Sequence, residues 1–200
     1  MLASCYSAAG RNEEAVATLR RSIAALDEEQ QPMSVGVSYQ ELGIVQCHEN
    51  RLSEAQESFA ASRRAFAIQF GEDSHATAGV LGREGQCFRD LDRLAEALGR
   101  FDAGLKLANE HPDESIYVFS RYLNLEGMAN TLADLERHDE AVVRFQELLV
   151  LLEPLVGKDD PQLEEILMPL AQSLRKIGEP EKADRAEARA EALRVSPEGG

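Results

Sequence analysis

The chain has no tryptophan, and aromatic residues make up only 6% of its 200 positions. A core built around large rings is therefore excluded, and burial must come from many Leu, Ala, Val and Ile side chains, as in helical arrays. It has no long apolar run. The strongest, Leu148 to Leu152, is far short of the ~20 residues that a membrane-spanning helix needs. No basic region precedes an apolar stretch at Met1-Leu2-Ala3-Ser4-Cys5, so the N-terminus does not read as a signal peptide. Cysteine is scarce: Cys5, Cys47 and Cys87 are odd in number and have no close pair in sequence, so no disulfide framework is expected. A reduced, cytoplasmic compartment is the simplest expectation. Basic residues are few, 21 Lys and Arg against 36 Asp and Glu, for a formal charge of −15. That balance excludes nucleic acid as a main partner and argues against an anionic membrane surface.

Catalytic signatures are missing as well. There is no G-x-S-x-G, no H-E-x-x-H and no Walker loop. His48, His75, His111 and His138 stand at no metal-ligand spacing, and the pairs Asp159-Asp160 and Glu164-Glu165 are ordinary helix-start chemistry. No enzyme activity, catalytic residue, metal or cofactor is expected.

What the chain does have is repetition. Ala15, Ala55, Ala97, Ala141 and Ala183 follow one another at spacings of 40, 42, 44 and 42 residues, the first four of them in a Glu-Ala dipeptide. Twelve residues before each alanine stands a small residue: Ala3, Gly43, Gly85, Ala129 and Ala171. Nine before stand Tyr6, Gln46, Phe88, Leu132 and Leu174; four after stand Leu19, Phe59, Phe101, Phe145 and Glu187. Five before stand Gly10, Asn50, Asp92, Glu136 and Gly178, residues of turns and helix ends. The physical reading is a repeated helix–turn–helix unit. The small residue on a first helix (helix A) admits the second (helix B) at close range, and the alanine on helix B meets it. One pair cannot bury its own face, so pairs stack. The expected class is all-α.

These positions resemble the tetratricopeptide repeat, and the period near 42 resembles the longer repeats of the kinesin-light-chain type. So do the linkers Phe70-Gly71-Glu72-Asp73-Ser74-His75 and Val156-Gly157-Lys158-Asp159-Asp160-Pro161. The resemblance implies a right-handed superhelical solenoid of antiparallel helix pairs. It covers residues 1–195 as a single array, with repeats at about 1–31, 32–72, 73–112, 113–158 and 159–195 and a flexible tail at 196–200. By register Met1 falls inside the first helix A, which suggests a fragment of a longer protein or a short chain with an unfinished first pair. Two departures stand out. Glu84 occupies a register position held elsewhere by Leu2, Leu42, Met128 and Leu170, and Glu187 replaces the aromatic in the last repeat.

The resemblance also implies a concave surface made by the A helices. Transferred to this sequence, its groove positions include Gln40, Ile44 and His48 in the second repeat, and Gly82, Gln86 and Arg89 in the third. They include Glu126 and Asn130 in the fourth, and Gln172 and Arg175 in the fifth. Gln40, Gln86, Asn130 and Gln172 make a row of amides, which can donate to and accept from the backbone of an extended peptide. Gly79 and Gly82 would leave a bare spot on the inner wall, and Cys47 faces the groove. The constellation of the family's chaperone-tail clamp is not matched. The expected function is a non-enzymatic scaffold that binds a peptide or partner protein in the groove. A regulatory segment of a larger signalling or transcription protein, and homodimerisation through the first pair, stay open as alternatives.

Overall fold

The computed structural model describes residues 12–111 and 114–195. Expectations that fall on residues 1–11 and 196–200, among them the first helix A with Leu2, Ala3 and Tyr6, the position of Cys5 and the tail, lie outside the described residues. Among the described residues the chain is all-α: α1 (Asn12–Ala25), α2 (Pro32–His48), α3 (Leu52–Phe70), α4 (His75–Asp90), α5 (Leu94–Asn109), α6 (Val118–Asp134), α7 (His138–Val156), α8 (Glu164–Lys176) and α9 (Pro180–Val195). Short 3-10 turns at Ser115–Tyr117 and Pro161–Leu163 lead into α6 and α8. The helices group into two compact units, Met1–Asn124 and Leu125–Gly200, whose boundary falls within α6.

The repeat register explains the packing in each unit. Ala15, Ala55 and Ala97 in the first and Ala141 and Ala183 in the second are all fully buried. One turn further along the same helices, Phe59, Phe101 and Phe145 are buried almost without exposure. The small A-helix residue is there to receive the ring. A β-carbon added at Gly43 would meet the Phe59 ring at 2.9 Å, and one at Gly85 would meet the Phe101 ring at 2.7 Å. Gln46, which stands where an apolar residue is usual, is also buried; its amide lies 2.6 Å from the Ser58 hydroxyl.

Every A-to-B turn among the described residues is built the same way. Asn50, Asp92, Glu136 and Gly178 take positive φ (58°, 58°, 58° and 79°). The next N–H reaches back to the carbonyls of Gln46, Phe88, Leu132 and Leu174, closing the left-handed helix cap. Glu136 is the costly member, since a β-carbon is disfavoured in that conformation by about 1–2 kcal/mol and a long side chain gains no local hydrogen bond there. Glu136→Gly is expected to raise stability by up to about 1 kcal/mol, after the extra unfolded-state entropy of glycine is deducted. Urea unfolding of the full chain checks this, and a lowered midpoint would contradict it.

The turn also accounts for the Glu-Ala dipeptide. Arg51 clasps Glu54 through Nε and Nη2 (2.7 and 2.5 Å), Arg93 clasps Glu96 (2.5 and 2.6 Å) and Arg137 clasps Glu140 (both 2.7 Å). Each fork holds a carboxylate in the first turn of helix B, where the helix dipole also favours it. The arginines hold Glu54 and Glu140 below the usual carboxylate range. In the last repeat the charges are exchanged, with Glu179 paired to Lys182 at 3.2 Å.

Glu84 places a carboxylate in the interior of the first unit. Its side chain is only 3% exposed, and it is satisfied by Arg63 of α3 at 2.5 Å and Arg100 of α5 at 3.2 Å. Asn124 is equally buried. Its amide nitrogen donates to the Ala78 and Ser120 carbonyls (3.0 and 2.7 Å), and its side chain lies against Gly82 and Gly104; at Gly104 an added β-carbon would collide with it.

One expectation is corrected. Cys47 and Cys87 are joined in a disulfide, with Cα atoms 5.8 Å apart. A search for close cysteine pairs along the sequence misses it, because stacking sets residues about one repeat apart side by side. The two cysteines are separated by 40 residues, close to the period, on the neighbouring A helices α2 and α4. The compartment therefore no longer follows from cysteine usage.

Candidate binding surface

In the first unit a cavity of about 250 Å³ lies between α2 and α4. Its walls are Ile44, Cys47 and His48 from α2, with Arg83, Gln86, Cys87 and Asp90 from α4. Helical spacing explains the choice: 44, 47 and 48 share one face of α2, and 83, 86, 87 and 90 share one face of α4. The disulfide closes the floor, Ile44 supplies an apolar wall, and the exposed His48 and Asp90 stand at the rim. Gln86 Nε2 donates to Asp90 Oδ1 at 2.5 Å, so this amide is already engaged. Ile44, His48 and Gln86 are thus brought together. Gln40 lies one turn before Ile44 on α2, half-buried, and Arg89 is half-buried on α4.

Gly82 and Gly79 differ. Gly82 is buried, and an added β-carbon would meet Leu123 at 2.8 Å, so it is a packing contact for α6 and not a bare patch. Gly79 has nothing within 4 Å and does leave the helix surface open. Arg83 was not among the positions transferred from the repeat pattern; the available signal is that it stands one turn before Gln86.

In the second unit Glu126 and Asn130 are half-buried on α6, and Asn130 Nδ2 donates to the Glu126 carbonyl at 3.0 Å. Gln172 is exposed on α8. Arg175 is turned toward α9. It pairs with Asp184 at 2.8 Å and with Glu187, whose carboxylate, followed by that of Asp184, raises the guanidinium pKa above its ordinary value. Glu187, at the position held by an aromatic in three other repeats, serves as this anchor. Among the described residues there is no group of three or more His, Cys, Asp or Glu arranged to hold a metal ion, and no helix is long and apolar enough to cross a membrane.

A family model described as tetratricopeptide repeat matches residues 1–33. No curated protein matches the chain. Among solved structures, BtubC (BKLC) from P. vanneervenii superposes with a TM-score of 0.79 at 19% identity, covering 100% of this chain and 79% of that one. A Podosopora anserina protein designated a kinesin light chain, with nearly identical TPR-like repeats, gives 0.73 at 16% identity, covering 100% and 94%. MamA from MSR-1 gives 0.57 at 21%, covering 96% and 92%. These likenesses establish a fold, and the match at residues 1–33 adds the sequence pattern. The chain is an all-α helical repeat solenoid in fold, and over residues 1–33 it is similar in sequence to the tetratricopeptide repeat.

Proposed function

We propose that the chain is a non-enzymatic scaffold that binds a peptide or partner protein on the inward faces of its A helices. The repeat fold supports the coarser half of this, since such arrays generally serve protein–protein interaction. The observation that carries the finer half is the cavity where Ile44, His48 and Gln86 converge from two successive repeats. An apolar wall beside amide, imidazole and guanidinium groups suits a peptide, which offers side chains to the first and backbone N–H and C=O to the others. In the second unit Asn130 and Gln172 offer the same amide chemistry on α6 and α8.

The test uses a random-peptide library selected against the full chain. Gln86→Ala combined with Asn130→Ala is expected to weaken the selected peptides by roughly fivefold or more, as two lost hydrogen bonds of about 0.5–1.5 kcal/mol each imply. Helix content is expected to stay unchanged by circular dichroism. Undiminished binding would sink the groove reading.

A further inference from the structure

We propose that the Cys47–Cys87 disulfide is a thiol–disulfide exchange site at the floor of the binding cavity, and that its redox state sets the affinity of that surface. The second clause rests on the function proposed above; the first does not. Four observations carry it. The bond joins α2 to α4, the two helices that form the cavity walls, so it restrains the spacing between them. Both cysteines are 4% exposed, yet both line the cavity, so an incoming thiolate meets the bond from the open side. Arg83 lines the same cavity, together with His48 and the Asp90 carboxylate, and its guanidinium supplies a fixed positive charge near an incoming thiolate. Lastly, stacking within the first unit does not require a covalent tie. The neighbouring A helices α4 and α6 are held by Leu123 and Asn124 against Gly82, and by the Asn124 amide on the Ala78 carbonyl.

The chemistry balances with a small thiol such as glutathione. Its thiolate attacks one sulfur of the pair; the S–S bond breaks, and its electron pair leaves on the other cysteine, which takes up a proton. A second small thiolate then attacks the mixed disulfide, releasing the oxidised small-molecule disulfide and the second cysteine thiol. Two electrons pass to the protein, and the reverse sequence restores the bond. The dithiol form is accommodated: Cys47 Sγ lies 3.4 Å from the Cys87 carbonyl oxygen, to which its S–H can donate. Without the bond, α2 and α4 keep only their non-covalent packing, and the cavity floor is free to widen.

The test equilibrates the full chain, carrying Cys5→Ser so that only this pair reports, in glutathione buffers of graded redox ratio. Free thiols are trapped by alkylation and located by peptide mass. Cys47 and Cys87 are expected to label together in one two-electron transition without denaturant, with helix content unchanged. Hydrogen exchange over 32–48 and 75–90 should rise at least fivefold on reduction, while 164–195 stays constant. Two free thiols under oxidising buffer, a bond that resists exchange until the chain is denatured, or loss of helix content on reduction would each overturn the exchange site. Peptides selected on the oxidised chain are expected to bind at least fivefold more weakly after reduction, and Cys47→Ser with Cys87→Ser should reproduce the reduced state. Equal affinity in both states overturns the control of affinity. Failure of the groove reading is separately visible, because it removes the dependence of peptide binding on Gln86 and leaves the glutathione titration untouched.

Discussion

Replacing Arg63 and Arg100 together by alanine is expected to lower stability by about 3–5 kcal/mol, because it strands the carboxylate of Glu84 in the interior without a counter-charge. The asymmetry of exposure decides which partner matters. Glu84 is 3% exposed, whereas Arg63 and Arg100 are 26% and 40% exposed and can turn to water when the carboxylate is gone. Glu84→Leu therefore goes the other way. It installs the residue type found at this register in the other repeats, removes the desolvation of the carboxylate, and is expected to be neutral or stabilising by about 1–4 kcal/mol. Urea unfolding of both variants checks the pair of signs. A strongly destabilised Glu84→Leu would mean that the ion pair does more than offset its own burial.

Loss of the disulfide is the second large effect. Cys47 and Cys87 lie 40 residues apart, and the chain entropy released by opening a loop of that length corresponds to about 4 kcal/mol. Cys47→Ser combined with Cys87→Ser, or the wild type in strong reductant, is expected to unfold at clearly lower urea while keeping its helix content under native conditions. The two preparations should agree, since both remove the same restraint. A wild-type midpoint indifferent to reductant would contradict the account of the bond.

Neither the Glu84 ion pairs nor the disulfide can be read from the repeat register. The five alanines, the small A-helix residues and the turn residues at 50, 92, 136 and 178 follow from period and register alone, because each repeats the same steric requirement. Glu84 is visible in the sequence only as a departure. Its partners stand 21 and 16 residues away on two other helices, and nothing in the register singles them out. The disulfide is missed for a simpler reason: proximity along the chain stands in for proximity in space, when the repeat period is the relevant distance. Arg175 shows a third limit. The repeat register makes it a groove position by expectation, but the last helix is rich in charge, and Asp184 and Glu187 claim its guanidinium. The four amides are expected from the register, but the side-chain bonds of Gln86 to Asp90 and of Asn130 to Glu126 depend on rotamers that sequence does not reveal.

Partners bound on the inward faces of the A helices, as proposed, lie within reach of position 86. A photocrosslinking amino acid placed at Gln86, and separately at the exposed Glu147 on α7, tests it with peptides selected on the unmodified chain. Crosslinks are expected from position 86 and none from 147; crosslinks from 147 with none from 86 would overturn binding on the inward faces.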